Sequence, residues 1–325
     1  MLTVGLTYDL RSDYLKEGYS EEETAEFDSE ITIKSIESTL QALGYKTERI
    51  GNVKALLKKL SEGEKWDLVF NIAEGLYGIG REAQVPAILD AFKIPYVFSD
   101  PLVLSLTLHK GLTKRVIRDC KIPTADFAIV EKMEDISSVN LPYPLFAKPV
   151  AEGTGKGIDS RSKVKNKSEL NELCRDLLDR FKQPVLVETY LPGREFTVGV
   201  VGTGQDARVV GVMEIVITER AKESIYSYHT KENWRGTVEY PMATGAMEKK
   251  CEEVALNAWR CIGCRDGGRV DLKMDANGIP NFIEVNPLAG INPEHSDLPM
   301  LAGKKGINFE QLIDIIMKSA LKRIN

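Results

Sequence analysis

Residues 267–287 read GGRVDLKMDANGIPNFIEVNP, two strand-like segments joined by a turn. The Asn-Gly pair at the turn is a strong hairpin signal, because both residues tolerate the left-handed backbone of a tight turn. Side chains alternate across a strand, so Arg269 and Asp271 share one face of the first segment, and Glu284 and Asn286 share one face of the second. The stretch therefore predicts a hairpin with an apolar face and a polar face.

Two carboxylates and an amide on that polar face form an all-oxygen set of the kind that Mg²⁺ prefers. The exposed face of an ordinary antiparallel hairpin would explain the same residues equally well. The candidate metal ligands Asp271, Glu284 and Asn286 therefore need support from phosphate-binding sequences elsewhere in the chain.

Composition sets the general class. The chain has 325 residues, 43% of them hydrophobic and 28% charged, with a net charge of -5. This length predicts two or three subdomains, and the negative charge argues against a protein that mainly binds nucleic acid. The N-terminus begins with a strand pattern rather than a signal peptide, and no run of 18 or more apolar residues follows. We expect a cytoplasmic protein that acts on small molecules, with neither a nucleic-acid nor a membrane partner.

In the first hundred residues, strand patterns alternate with helix patterns, ending in IPYVFS as a short strand. This alternation predicts a doubly wound parallel sheet, whose ligands would lie beyond the carboxyl ends of its strands, near residues 8–11 and 71–80. After residue 101 this alternation ends, and LSLTLHKGLTKRVIRDC is predicted to form one helix. We predict three blocks that surround one site, at 1–101, 102–191 and 192–325.

The five cysteines form an odd and scattered set, which fits a reducing compartment better than a disulfide framework. CIGC at 261–264 could be half of a zinc site or a redox dithiol, but no second pair stands at zinc-ligand spacing. We therefore favour a packing role for CIGC at the end of a helix.

A glycine-rich segment follows a buried strand pattern in LFAKPVAEGTGKGID. Lys148 ends the strand, and three glycines within five residues can present backbone N–H groups to phosphate oxygens. The segment matches neither the P-loop nor the dinucleotide-binding spacing. Glu188 and Glu195 follow on the next two strand patterns. A mobile surface turn would explain the glycines alone, but not this whole arrangement.

The ordered set LHK, FAKPxxEGTGKG, VETYLPGREFTV, GGRVDLKMD and FIEVNPLAG resembles the ATP-grasp ligases, most closely the D-alanine:D-alanine ligase family. The resemblance covers almost the whole chain. It implies an α/β fold, with an N-terminal doubly wound sheet before a two-part ATP-grasp fold of α+β type. It also implies an ATP-dependent carboxylate-amine ligase that forms a peptide bond through an acyl phosphate, with amino-acid-like substrates, two Mg²⁺ ions (or Mn²⁺) and a homodimeric assembly.

The resemblance implies roles for individual residues. The metal ions would be held by Asp271, Glu284 and Asn286, and Arg269 would stabilise the acyl phosphate and the tetrahedral intermediate. Lysines and glycines would hold the phosphates, Glu188 would face the adenine, and Glu195 would bind the ribose. The implied nucleotide contacts are Lys110, Lys148, Glu152, Gly153, Gly155, Gly157, Glu188, Tyr190, Leu191 and Glu195.

The substrate half departs from the family pattern. Glu30 is the best match to the carboxylate that receives the first amino acid's ammonium, and Thr154 stands in place of a serine. Lys231 adjoins Glu232, which replaces a tyrosine. The remaining candidate substrate contacts are Glu82, Gly290, His295 and Ser296. The long acidic first loop and Glu232 suggest a substrate with an extra cationic group.

Three functions remain open at this stage. The first is a ligase that joins two amino acids, and the second is a ligase that joins an amino acid to a non-alanine amine or a carrier peptide. The third is a nucleotide-binding protein without catalysis, which would be expected to lack Arg269 or a metal ligand. All of these residues are present.

Overall fold

The computed structural model describes residues 1–217 and 238–324. Its N-terminal part is a parallel sheet in the order β2–β1–β3, which confirms the predicted α/β arrangement. All five side chains of β3 are buried, as expected for a strand covered on both faces of the sheet. The elements of this part are β1 (Thr3–Tyr8), the helices Arg11–Lys16 and Glu30–Ala42, β2 (Lys46–Gly51), the helix Val53–Ser61, β3 (Leu68–Ile72), the 3-10 turn Arg81–Ala83 and the helix Gln84–Ala91.

The predicted strand IPYVFS is wrong. This segment makes only an isolated parallel bridge, between Val69 and Tyr96. The extended path ends at Phe98, whose φ of 76° lies in the left-handed region. The Phe98 N–H leaves the sheet and donates to Asp266 Oδ2 at 2.8 Å.

The middle of the chain forms a four-stranded sheet in the order β4–β7–β5–β6, with antiparallel neighbours. The helix Lys167–Phe181 covers it with buried leucines at helical spacing, at 170, 173 and 177. The elements are the helices Pro101–Leu108 and Lys110–Asp119, β4 (Phe127–Val130), the 3-10 turn Met133–Ser138, β5 (Leu145–Pro149), the 3-10 turn Ser160–Ser162, β6 (Lys163–Val164), the helix Lys167–Phe181 and β7 (Val185–Thr189).

The predicted single helix over 104–120 is interrupted. His109 has non-helical dihedral angles, and its Nδ1 accepts the Leu112 N–H at 3.2 Å, as an N-terminal cap. The Lys110 N–H donates to the Val150 carbonyl at 3.0 Å. A new helix therefore starts at Lys110 and directs this lysine toward the glycine-rich segment.

The last part forms a five-stranded antiparallel sheet in the order β10–β9–β8–β11–β12. The helix Gly245–Ile262 packs on this sheet through the buried Trp259. Leucines and isoleucines of the last two helices share one core with β1 and β3 of the N-terminal sheet. The elements are β8 (Glu195–Val201), the 3-10 turn Gly204–Asp206, β9 (Arg208–Ile217), β10 (Val238–Glu239), the helix Gly245–Ile262, β11 (Gly267–Met274), β12 (Pro280–Asn286) and the helices Asp297–Lys304 and Phe309–Leu321.

Two segments that we interpreted as loops contain short helices. Arg11–Lys16 begins directly after β1 within the acidic first loop, and Asp297–Lys304 follows His295 and Ser296. The second helix buries Leu298 and Leu301 against the shared core. It therefore anchors the segment that carries the candidate acceptor residues.

The interpretation of the cysteines needs a correction, because Cys120 and Cys261 form a disulfide. Cys120 ends the helix that starts at Lys110, and Cys261 lies in the last turn of Gly245–Ile262, which brings their Cα atoms to 6.6 Å. Cys264 is a free, buried cysteine of the core, so CIGC is not an internal dithiol pair. A helix long and apolar enough to cross a membrane does not occur in residues 1–217 and 238–324.

Candidate active site

A cavity of about 580 Å³ lies between the N-terminal sheet, the glycine-rich loop and the β11–β12 hairpin. Arg11 and Glu74 line it from the carboxyl ends of β1 and β3, where the topology predicts a ligand site. Arg269, Glu284 and Asn286 line it from the hairpin. The three parts of the chain therefore meet at one cavity.

The hairpin has the register that side-chain alternation predicts. Arg269 pairs with Asn286, and Asp271 pairs directly with Glu284. Val270 and Leu272, which alternate with Arg269 and Asp271 along β11, are buried in the core. The polar residues thus converge on the face that borders the cavity.

Arg269 is held in place by two carboxylates. Its Nε lies 3.3 Å from Asp271 Oδ2, and one terminal nitrogen donates to Asp297 Oδ2 at 2.9 Å. A guanidinium fixed from two sides keeps a defined orientation without reorganisation, which is what stabilisation of a developing negative charge requires.

Asp271 is surrounded by charged and polar side chains of the hairpin and its neighbouring strand. Burial raises its pKa to about 6, the Arg269 guanidinium opposes this rise, and the neighbouring Glu284 carboxylate adds to it. Thr197 Oγ1 donates to Asp271 Oδ1, and Asn286 Nδ2 lies 3.3 Å from Oδ2. A cation between Asp271 and Glu284 would relieve their repulsion.

The donor set fits a hard divalent cation. Within the described ranges, no group of three His, Cys, Asp or Glu side chains could hold a metal ion. The hairpin offers instead two carboxylates and the Asn286 amide, which suits Mg²⁺ that takes its other oxygens from water and phosphate. Lys110 Nζ lies 3.5 Å from Glu284 Oε2 and 2.6 Å from the Glu152 carbonyl, at the same end of the cavity.

The glycine-rich loop closes against the acidic first segment. A Cβ on Gly153 would collide with Glu26 Oε1, so a side chain at this position would require Glu26 to shift. Glu26 is held by Arg81 at 2.9 Å and by Lys156 at 3.3 Å. Thr154 lines the cavity with a left-handed φ of 50°, and its buried Oγ1 has no hydrogen-bond partner among the described residues.

A buried ionic cluster lies behind the predicted nucleotide position. Lys114 Nζ is 2.9 Å from one oxygen of Glu188, and Lys148 Nζ is 3.5 Å from the other. Burial opposes ionisation of Glu188, but the two ammonium groups outweigh burial and hold its pKa below the ordinary value. Lys148 therefore pairs with Glu188, and neither residue lines the 580 Å³ cavity.

The remaining nucleotide candidates lie along the edge of the four-stranded sheet and at the start of β8. The Tyr190 N–H donates to the Pro144 carbonyl at 3.1 Å, so the backbone atom of Tyr190 that remains for a ligand is its carbonyl oxygen. Lys163 Nζ lies 3.9 Å from the centre of the Tyr190 ring. Leu191 is buried, and Glu195 pairs with Lys273 at 2.7 Å.

Glu30 requires a correction. Its side chain is 56% exposed, pairs with Arg49 at 2.6 Å and does not line the cavity. Ser29 caps the helix that starts at Glu30, so Glu30 turns outward toward β2. The carboxylates of this segment that line the cavity are Asp28 and Glu26, of which Glu26 is paired with Arg81 and Lys156.

Four other substrate candidates, Glu82, Gly290, His295 and Ser296, line the cavity as expected. The Ser296 Oγ accepts the Asn292 N–H at 2.9 Å, and Asn292 in turn donates to Thr32 of the N-terminal part at 2.9 Å. Lys231 and Glu232 lie outside the described residues.

Sequence reasoning missed several residues of this region. Lys114 stands one helical turn after Lys110, a spacing that could have indicated a second lysine on the same face. Asp297, which holds Arg269, and Glu74, which lines the cavity, carried no local signal because their positions depend on distant contacts. Asp28 lies two residues before Glu30, and only the position of the helix start at Glu30 distinguishes the two.

Two comparisons of the sequence with known proteins give consistent results. The model of the family described as D-ala D-ala ligase C-terminus matches residues 116–318. The D-alanine–D-alanine ligase of Thermotoga petrophila is 32% identical over 297 residues, which cover 90% of this chain and 93% of that protein.

Solved structures give the same fold. The D-alanine–D-alanine ligase from Bacillus anthracis complexed with ATP superimposes with a TM-score of 0.75 at 20% identity, covering 100% of this chain and 99% of that one. The VanG D-Ala:D-Ser ligase from Enterococcus faecalis gives 0.75 at 21% identity, covering 98% and 99%.

Proposed function

The chain belongs to the D-alanine–D-alanine ligase family, whose members are ATP-dependent ligases that form a carbon–nitrogen bond, and we propose that it joins two amino acids. The carboxylate of the first would attack the γ-phosphorus of ATP, releasing ADP and forming an acyl phosphate. The amine of the second would then attack the acyl carbon, and inorganic phosphate and a proton would leave.

The observation that supports this proposal is the polar face of the hairpin. Arg269 lies on the cavity wall between Asp271 and Asp297, beside Asn286 and close to the carboxylate of Glu284. An acyl-transfer site requires a fixed cation beside the reacting oxygens and oxygen ligands for the metal that accompanies ATP. Both requirements are met on one wall.

We assign separate roles to the two halves of the cavity. Lys110 would contact the phosphates, and the Gly153–Gly157 loop would cover them with backbone N–H groups. Thr154 and Asp28 would contact the first amino acid, and His295 and Ser296 the second. The bound metal would neutralise phosphate charge, while Arg269 would stabilise negative charge on the acyl oxygens.

Adenine would occupy the edge of the four-stranded sheet, next to Tyr190, Leu191 and the buried Glu188. Glu195 would reach the ribose after separating from Lys273. Lys148 would contact a phosphate by changing its partner from Glu188. These assignments rest on the family resemblance together with the positions of the side chains at the sheet edge.

The direct test incubates the full chain with ATP, Mg²⁺ and pools of D- and L-amino acids, and measures phosphate release and product mass. We expect amino-acid-dependent phosphate release and a dipeptide product. A protein that binds ATP but releases no phosphate with any pool would refute the ligation of two amino acids. Product formed only with a larger amine or a carrier peptide would favour the second function.

Further parts of the proposal have their own measurements. Two Mg²⁺ ions, replaceable by Mn²⁺, predict two metal equivalents per chain in a titration with a non-hydrolysable ATP analogue. A homodimer predicts twice the 36.2 kDa chain mass by light scattering. A cytoplasmic location predicts recovery in the soluble cell fraction.

We also propose the division at 1–101, 102–191 and 192–325, supported by one sheet in each block. The last two helices share the core of the N-terminal sheet, so the blocks would not unfold independently. A single cooperative thermal transition would support this coupling, and three separate transitions would contradict it.

A further inference from the structure

Four carboxylates line the N-terminal end of the cavity, those of Glu26, Asp28, Glu74 and Glu82, and Glu26 is paired with Arg81 and Lys156. Asp28 accepts a hydrogen bond from Thr32. The side chains of Glu74 and Glu82 make no hydrogen bond or ion pair within residues 1–217 and 238–324. Asp28, Glu74 and Glu82 thus face one space without a paired cation in the described part of the chain.

Two basic groups nearby, those of Arg81 and Lys156, are engaged by other acceptors. Arg81 donates to Glu26 at 2.9 Å and to the Ala151 carbonyl at 3.0 Å. Lys156 lies 3.3 Å from Glu26 and 2.8 Å from Glu152. Both cations therefore serve to close the glycine-rich loop, and none of the three acids makes an ion pair within residues 1–217 and 238–324.

The electrostatics of the three acids are consistent with this view. Burial raises the pKa of Asp28 to about 7, and Asp9 adds to the rise. Burial raises the pKa of Glu82 to about 7 against the opposing effect of Arg81. Burial, followed by repulsion from Glu82 and Glu26, raises the pKa of Glu74 well above its ordinary value. Ionised acids in such surroundings require cationic partners.

A second observation marks the same space as a ligand site. Thr154, on the glycine-rich loop, lines the cavity, and its Oγ1 is buried without a hydrogen-bond partner among the described residues. Buried hydroxyl groups are nearly always hydrogen-bonded, so we expect this oxygen to bond to a polar atom of the ligand. The site therefore suits a ligand that carries both positive charge and a hydrogen-bonding group.

The charges restrict the class of ligand. An amino acid with an uncharged side chain has one ammonium group, and its carboxylate would lie toward Arg269. Such a ligand would leave two of the three acids without a cation from the described part of the chain. An amino acid with a second ammonium group on its side chain would compensate two acids, and the third could stay protonated.

We infer that the first amino acid used by this ligase is a diamino acid, with its side-chain ammonium bound by Glu74 and Glu82 and its α-ammonium by Asp28. The inference rests on the proposed function, because it names the substrate of the same site. The long acidic first segment, which supplies Asp28, fits this role.

The first test needs no variant. The full chain with Mg²⁺-ATP is supplied with lysine, ornithine or 2,4-diaminobutyrate as the varied amino acid, in D and L forms, beside norleucine and alanine. Norleucine matches the carbon chain of lysine without the ammonium. We expect kcat/KM for the best diamino acid to exceed that of norleucine by about 10- to 100-fold, the usual contribution of a charge-assisted hydrogen bond. Fragmentation of the product in a mass spectrometer identifies which amino acid donates its carboxylate.

The second test removes the acids individually. Glu74→Gln and Glu82→Gln keep the shape of the side chain and should each lower the preference for the diamino acid over norleucine by about tenfold or more. Glu62→Gln is the matched control, because Glu62 is exposed and lies outside the cavity. Melting temperature and binding of an ATP analogue verify that each variant is folded.

The outcomes separate the inference from the proposed function. Equal kcat/KM for norleucine and the diamino acids, or a preference that both glutamine variants retain, would overturn the inference and leave the ligase function intact. If a diamino acid is used only as the acceptor of the new bond, the inference is also overturned. Absence of phosphate release with every amino acid would overturn the proposed function itself.

Discussion

Asp28 should destabilise the free protein at neutral pH, and its replacement by asparagine should stabilise it. Burial raises the pKa of Asp28 from an ordinary value of 3.8 to about 7, with a further contribution from Asp9. Folding therefore disfavours the ionised form, and the ionised form is the one that dominates in the unfolded chain at pH 7. Asparagine keeps the shape and can still accept a hydrogen bond from Thr32.

The size and the sign follow from proton linkage. Below about pH 4 the carboxyl is protonated in both states and has no effect on stability through its charge. As the pH rises from about 4 to about 7, the free energy of unfolding of the wild type falls, by up to about 4 kcal/mol in total, and then stays constant. Between pH 5 and pH 8 the advantage of the Asp28→Asn variant should grow by about 2 to 3 kcal/mol.

The assay measures the melting temperature of both proteins at pH 5 and at pH 8, in the same concentration of urea and without substrate. The melting temperature needs no assumption of a two-state transition in a chain of this size. Glu62→Gln, at an exposed position, should show no pH-dependent difference from the wild type. An Asp28→Asn variant that is equally or less stable than the wild type at pH 8 would refute the account of Asp28 as a buried acid without a cation.

Three further predictions concern other parts of the molecule. Arg269→Ala should lower kcat by about 10²- to 10³-fold with little change in ATP binding, because it removes a fixed cation beside the reacting oxygens; equal losses in binding and turnover would argue against this. Asp271→Asn and Glu284→Gln should each abolish turnover and weaken Mg²⁺-dependent binding of an ATP analogue, and full activity in either would exclude the metal assignment. Cys120→Ser should lower the melting temperature under non-reducing conditions, because the bond to Cys261 links residues that are 141 positions apart in the sequence. A reductant should lower the melting temperature of the wild type to the same value. An unchanged melting temperature would mean that the disulfide does not form in solution.

The parts of this site that local pattern could predict are those in which neighbouring residues act together. The hairpin face of Arg269 and Asp271 follows from alternation along a strand, and the Asn-Gly turn sets which residues of the second strand lie opposite. The glycine-rich loop could be recognised as a candidate phosphate site from its three glycines within five residues, whose backbone N–H groups can face phosphate oxygens. Such features depend on a few consecutive residues and on backbone geometry, so one sequence suffices to predict them.

The parts that could not be predicted depend on contacts between distant segments. A single residue, His109, accepts a hydrogen bond as a helix cap and divides a continuous helical pattern, a choice that also depends on the distant Val150 carbonyl. The disulfide requires two helix ends from different parts of the chain to meet, which their spacing in sequence does not indicate.

The same limit explains why the sequence alone indicates Glu30 and not Asp28. Both are acids within the same acidic segment, and only the helix cap at Ser29 and the pairing of Glu30 with Arg49 on β2 decide which one faces the cavity. Once Asp28 is placed there, it lines the same cavity as Glu74, which follows β3. Besides burial, the negative charge of Asp28 then contributes to the raised pKa of Glu74, an effect that neither residue indicates in the sequence. Substrate preference in this chain is therefore a property of the assembled cavity, whereas the chemistry of ATP-dependent activation lies in motifs that can be read along the sequence. This difference is why the ligase reaction could be predicted from the chain before its first substrate could be inferred.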